Sequence, residues 1–190
     1  DMSGEPLDGD KVRLARNEEM KEFAKHQVYS KVPLSECWSE TGKAPIGTRW
    51  VDINKGDKVH PDYRSRLVAK EIKTDRRDDL FAATPPLEAI KLLFSLAVTE
   101  GIGFRRGKRE QGMKMDFIDV RRAYFHAKAR RSVYVALPPE DAEEGMCGKL
   151  NKAMYGTRDA AQNWEEDYSE FMRGVGFEQG RASPCVFWHR

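Results

Sequence analysis

Hydrophobic spacing along the chain alternates between helical and strand-like stretches. After Val12, Met20, Phe23, Ala24 and Gln27 or Val28 recur at three- and four-residue steps with Glu and Lys between them, which predicts an amphipathic helix. Pro33 and residues 39–45 break the chain into loops. Residues 46–53 carry Trp50, Val51 and Ile53, Asn54-Lys55-Gly56-Asp57 supplies turn chemistry, and residues 64–72 return, so a β-hairpin is predicted. Charges on both arms predict that it is half buried. Thr84-Pro85-Pro86 reads as a helix start, because proline is tolerated in a first turn whose amide donors are unpaired anyway. Residues 87–98 are apolar on nearly every face, so this helix is expected at the centre of the fold. Gly101 and Gly103 end it.

Residues 113–120 predict a short strand that buries Met115, Phe117 and Val120. A strand over 133–137 is closed by Pro138-Pro139, and an acidic loop follows over 140–148. A long helix over 160–172 ends at Gly174 and Gly176, and residues 185–188 read as a last strand. Helices and strands are interspersed, with hairpins as well as crossovers, so the fold class is α+β. Residues 1–11 read as a flexible leader, and no internal repeat is evident.

Composition narrows the picture only modestly. With 190 residues the chain can bury a core without disulfides or metal. Mean hydropathy is −0.72, polar for a globular protein, but aromatics at 10% argue against wholesale disorder. The longest apolar run, around Leu92 to Val98, falls far short of the roughly 18 residues of a membrane span, so no membrane partner is expected. Position 1 is Asp, not Met, so the chain is expected to be a piece of a longer one. The three cysteines, Cys37, Cys147 and Cys185, are scattered and odd in number, which fits a reducing compartment better than a disulfide framework.

Three segments could carry chemistry. In Lys114-Met115-Asp116-Phe117-Ile118-Asp119-Val120-Arg121-Arg122-Ala123-Tyr124-Phe125, a strand ending in a carboxylate runs straight into a turn. That places Asp119 at a lip where a hard cation such as Mg²⁺ could be held, with backbone amides and Arg121 and Arg122 beside it for phosphate. The plainer alternative is that Asp119 caps a helix starting at Val120 and the arginines are solvated. In the second segment, Tyr155-Gly156 sits at a loop-to-helix junction where backbone can approach a flat ligand; the alternative is a helix start with Trp164 packed in the core. In the third, Arg64, Arg66 and Lys70 share one face of a strand whose other face carries Leu67 and Ala69. Such a row can grip phosphates, or simply protect an edge strand from aggregation.

The order of these blocks is more telling than any one of them. Arg49-Trp50-Val51, Arg66-Leu67-Val68-Ala69-Lys70 and Asp119-Val120-x-x-Ala123-Tyr124-Phe125 come first. Val133-Tyr134-Val135-x-Leu137-Pro138, Leu150-x-Lys152-x-x-Tyr155-Gly156 and Trp164 follow. Together they resemble the reverse transcriptase domain of copia-type retrotransposons over residues 12–190. The resemblance implies a right-hand polymerase fold, with fingers over 12–83 and a partial palm over 84–190, without a thumb. It implies an RNA-directed DNA polymerase within a polyprotein, using two Mg²⁺ ions, deoxynucleoside triphosphates and an RNA or DNA template-primer. Integrase and ribonuclease H would be neighbouring domains. Family members work in cytoplasmic particles and deliver DNA to the nucleus, so an intracellular location is expected.

By the same resemblance Asp119 would be the first catalytic aspartate and metal ligand. Arg121, Arg122 and Ala123 would offer backbone amides to the incoming nucleotide, and Tyr124 would crowd a ribose 2′-OH. Tyr155 and Gly156 would pack near nucleotide and template, and Arg66, with Arg64 or Lys70, would supply cations over the triphosphate. The sequence departs from the family at several points. The Tyr-x-Asp-Asp element expected shortly after Phe187 is not among the 190 residues, and Asp78-Asp79 sits too early to replace it. One carboxylate cannot build a two-metal site, so this stretch alone is expected to be inactive. Asp159-Ala160-Ala161 stands where Gln-Ala-Pro is usual, and the loop over 104–111 is longer and more basic than expected. Two other functions therefore remain open: a catalytically dead, host-retained remnant that binds nucleic acid or a partner, and an unrelated α+β interaction domain. The net charge of +2 favours the last.

Overall fold

A computed structural model of the chain describes residues 6–57, 59–72, 86–115 and 118–189. They fall into two compact units, the first drawn from residues 1–81 and 122–167 and the second from 82–121 and 168–190.

The first unit opens with helix α1, Gly9–His26. The Asp8 carboxylate accepts from the amides of Asp10 and Lys11 at 3.0 and 3.2 Å, a cap of about 1 kcal/mol. Lys25 in the last turn complements the helix dipole, and Gln27 ends the helix in the left-handed conformation. The buried face of α1 is Ala15, Glu19 and Phe23, one residue every fourth position. Strand β1, Tyr29–Pro33, and helix α2, Leu34–Thr41, occupy a stretch where loops are expected from the sequence. Pro33 starts α2 instead of interrupting it, because the first turn needs no proline amide.

The predicted hairpin is present as β2, Thr48–Asn54, and β3, Tyr63–Ala69, with Trp50 opposite Leu67. Asn54 Oδ1 closes its turn by accepting from the amides of Gly56 and Asp62 at 3.0 and 2.9 Å. Strands β4, Tyr134–Val135, and β5, Met146–Leu150, complete an antiparallel sheet in the order β1-β5-β4. The expected acidic loop therefore gives way at Met146 to the central strand of this sheet. Gly148 makes that possible: a Cβ there would lie 3.0 Å from the Tyr29 ring. The core gathers Phe23, Val28, Leu67, Phe125, Val133, Val135, Leu150 and Met154, with Phe23 and Phe125 edge-to-face at 4.8 Å. Helix α4, Ala160–Gly174, begins in this unit, where Trp164 packs on Ala127, Ala153 and Ala160.

In the second unit, helix α3, Leu87–Val98, has the predicted extent. Where burial is expected, Leu87, Ile90, Leu92, Leu93, Phe94 and Val98 are 41–69% exposed. Gly103 follows the helix with its α-carbon against the carbonyls of Leu96 and Ala97, where a side chain has no room. Strands β6, Phe177–Gln179, and β7, Phe187–His189, pair antiparallel; β6 has no counterpart in the sequence-based expectation. The predicted strand over 113–120 is not seen among the described residues 113–115 and 118–120. Met115 is 42% and Ile118 82% exposed, and the only described ladder of this unit, β6–β7, offers them no pairing partner. Asp116 and Phe117 lie outside the described residues.

Candidate functional site

The first unit brings Arg66 and Tyr124 against the ring of a third sequence-selected residue, Tyr155, with Gly156 next to it in the chain. Alternation along β3 buries Ser65, Leu67 and Ala69 and leaves Arg64, Arg66 and the following Lys70 exposed. Arg66 turns its guanidinium over the Tyr155 ring, 5.4 Å from the centroid. Arg64 instead pairs with Asp62 at 2.9 Å, and Lys70 lies against Gly47.

Tyr155 is fixed by its own backbone, since its carbonyl accepts from the Ala69 amide at 2.8 Å. Gly156 allows that approach. Its φ is +84°, and a Cβ would meet Val68 Cγ1 at 2.5 Å and the Ala69 carbonyl still closer. Tyr124 stands 5.1 Å from Tyr155, ring to ring, and Phe125 beneath it 5.6 Å. Burial raises the Tyr155 phenol pKa above its ordinary value, against the lowering influence of Arg66. Both tyrosines remain partly exposed, so the pair offers an aromatic edge with a cation beside it.

Ala123 and Tyr124 belong to a 3₁₀ turn, Ala123–His126, entered through Arg122 in the left-handed conformation at φ 52°. Because the turn starts at Ala123, Asp119 caps no helix. Arg122 is bound back to α1: its Nε donates to Glu19 Oε2 at 3.1 Å, and Nη1 lies 3.8 Å from Glu22. Asp119 and Arg121 belong to the second unit, where both are exposed. Among the described residues no group of three or more His, Cys, Asp or Glu could hold a metal ion. The described donors thus do not fit a two-metal site, and no chemical step follows from them.

Two acids were not legible as site residues. Glu19 is 3% exposed and carries a raised pKa, through burial first and despite the charge of Arg122. Its signal in the sequence is a charge on the four-residue repeat Ala15-Glu19-Phe23. Asp159 lies buried at the start of α4 and accepts from Arg131 Nη2 at 2.9 Å and from Asn163 Nδ2 at 3.1 Å. Arg131 also reaches Glu71 at 2.6 Å. Burial opposes the Asp159 charge, but the hydrogen bond and charge of Arg131 prevail and hold its pKa low. The departure from Gln-Ala-Pro therefore has a structural use in this chain.

Comparison with known proteins gives this arrangement a context. The family model described as reverse transcriptase (RNA-dependent DNA polymerase) matches residues 26–190. The chain is 27% identical over 184 residues to the retrovirus-related Pol polyprotein from transposon TNT 1-94 of Nicotiana tabacum, which covers 93% of the chain and 13% of that protein. It is 24% identical over 151 residues to the corresponding polyprotein from transposon RE1 of Arabidopsis thaliana, covering 75% and 10%. The transposon Ty1-DR5 Gag-Pol polyprotein of Saccharomyces cerevisiae is 28% identical over 71 residues, 37% of the chain and 4% of that protein. The chain thus spans about an eighth or less of these relatives. No solved structure matches. No described helix is long and apolar enough to cross a membrane. With the family match extending over most of its length, and its blocks in the expected order, the chain belongs to the reverse transcriptase (RNA-dependent DNA polymerase) family, in its copia-type branch.

Proposed function

We propose that the chain forms the fingers and adjoining palm of an RNA-directed DNA polymerase in a retrotransposon polyprotein, and that its Arg66–Tyr155–Tyr124 face receives a deoxynucleoside triphosphate. The observation that carries this reading is the meeting of three separate sequence blocks at Tyr155, with Arg66 above the ring and Tyr124 beside it. A guanidinium next to two partly exposed rings suits a ligand that joins a polyphosphate to a flat base and a sugar. Gly156 allows the close approach of loop and strand that holds this face together.

Asp119 supplies one metal-binding carboxylate in this reading, with divalent metal, two ions of Mg²⁺ by family expectation, and template-primer engaged by the longer polyprotein. Integrase and ribonuclease H would act from the same polyprotein, in a cytoplasmic particle and then the nucleus. The direct test is equilibrium binding of deoxythymidine triphosphate to the chain and to Arg66→Ala. Loss of one charge-assisted contact of about 1.5–3 kcal/mol predicts roughly ten- to hundredfold weaker binding. Equal affinity of the two proteins would remove the support for this face.

A further inference from the structure

The proposed nucleotide face contains a group that it does not use. Glu19 is buried on α1, and its Oε1 has no hydrogen-bond partner among the described residues. Leaving a buried carboxylate oxygen unpaired is costly, so a group in that state calls for an explanation. Its other oxygen holds the Nε of Arg122, and Glu22 one turn later approaches the same guanidinium. Arg66, from β3, lies close enough to Glu19 to favour its charge, while Glu22 on α1 opposes it. Tyr155 feels Glu19 together with both arginines. Arg122 is therefore already paired with carboxylates of the chain itself, and Arg66 lies within their field.

We propose that Glu19, backed by Glu22, is a built-in counter-anion for Arg122 and Arg66 that an incoming polyphosphate must displace, so that ligand binding is coupled to proton uptake at Glu19. This rests on the reading that the face receives a nucleotide. The coupling follows from electrostatics. A polyphosphate drawing on Arg66 and Arg122 weakens their hold on Glu19 and adds negative charge nearby, and both effects favour the protonated carboxyl. By reciprocity, whatever ligand promotes protonation of Glu19 binds more tightly when Glu19 is neutral.

The test is calorimetric titration of deoxythymidine triphosphate into the chain, Glu19→Gln and Glu22→Gln. Two buffers of different ionisation enthalpy are used at each of several pH values from the ordinary glutamate value to neutrality, so that the raised pKa of Glu19 falls inside the range. Glu22 also lies 3.4 Å from His26, itself titratable, and the ligand titrates too, so proton uptake is read as wild type minus Glu19→Gln. The expected result is excess proton uptake by wild type and about tenfold tighter binding by Glu19→Gln, one pKa unit of coupling being tenfold in affinity. Glu22→Gln, at a less buried position, should move affinity the same way and decides the matter if Glu19→Gln does not fold. Wild-type binding that Arg66→Ala weakens, with both Gln variants binding no tighter than wild type, would overturn this inference alone. Absence of binding by wild type and both Gln variants, or binding indifferent to Arg66→Ala, would overturn it together with the nucleotide reading.

Discussion

The guanidinium of Arg66 lies over the ring of Tyr155, 5.4 Å from its centroid, while the Ala69 amide three residues along the same strand donates to the Tyr155 carbonyl at 2.8 Å. One strand thus fixes both the backbone of the tyrosine and the cation above it. Removing the ring should cost more than one contact, since Arg66, Tyr124 and Phe125 all rest against it. Tyr155→Ala is expected to weaken triphosphate binding at least as much as Arg66→Ala, roughly tenfold or more by the same charge-contact scale. Fluorescence or calorimetric titration of the two variants checks this.

Gly156 and Gly145 share a positive φ but differ in surroundings: a Cβ at Gly145 meets open space, and one at Gly156 meets β3. Gly145→Ala should cost only the backbone penalty, about 1–2 kcal/mol. Gly156→Ala adds steric overlap, for a total of about 3 kcal/mol or more. Urea denaturation of both variants measures the difference, and equal costs would contradict the close approach.

Asp159 and Arg131 make a pH prediction. The folded pKa of Asp159 lies below the unfolded value, so its contribution is present above the ordinary aspartate value of about 3.9 and is lost as pH falls through the folded pKa. Asp159→Asn should therefore flatten the acid limb of the stability–pH curve. Arg131→Met leaves the carboxylate buried without its main partner and should cost about 3 kcal/mol at neutral pH. Denaturation across pH with both variants is the check.

What the sequence revealed was whatever depends on local order. The hairpin was readable because Asn54-Lys55-Gly56-Asp57 fixes a turn between two apolar-containing arms. The face at Tyr155 was readable only through the order of the blocks, since no spacing rule says that Arg66 and Tyr155 meet. Strand β1 is not legible in the sequence because its pairing with β5 is long-range: Tyr29 finds Leu150, and nothing in Tyr29-Ser30-Lys31-Val32-Pro33 alone marks a strand. The burial expected around α3 failed for the converse reason. An apolar sequence states that a helix needs partners, not which described residues supply them.

Sugar selectivity tests Tyr124 separately. In a longer polyprotein segment with polymerase activity, Tyr124→Ala should accept ribonucleotides more readily, because a ring no longer crowds the 2′-OH. Comparison of kcat/KM for deoxy- and ribonucleotides reads this directly, and an unchanged ratio would withdraw the role from Tyr124.

The most direct measurement is metal-dependent extension of a DNA primer on an RNA template. It uses a polyprotein segment that contains this chain and extends past Arg190 through a Tyr-x-Asp-Asp element, with and without Asp119→Asn. Extension by the unaltered segment, falling to background in Asp119→Asn while the circular dichroism spectrum is retained, is the predicted result. Extension at the unaltered rate by Asp119→Asn would contradict the assignment.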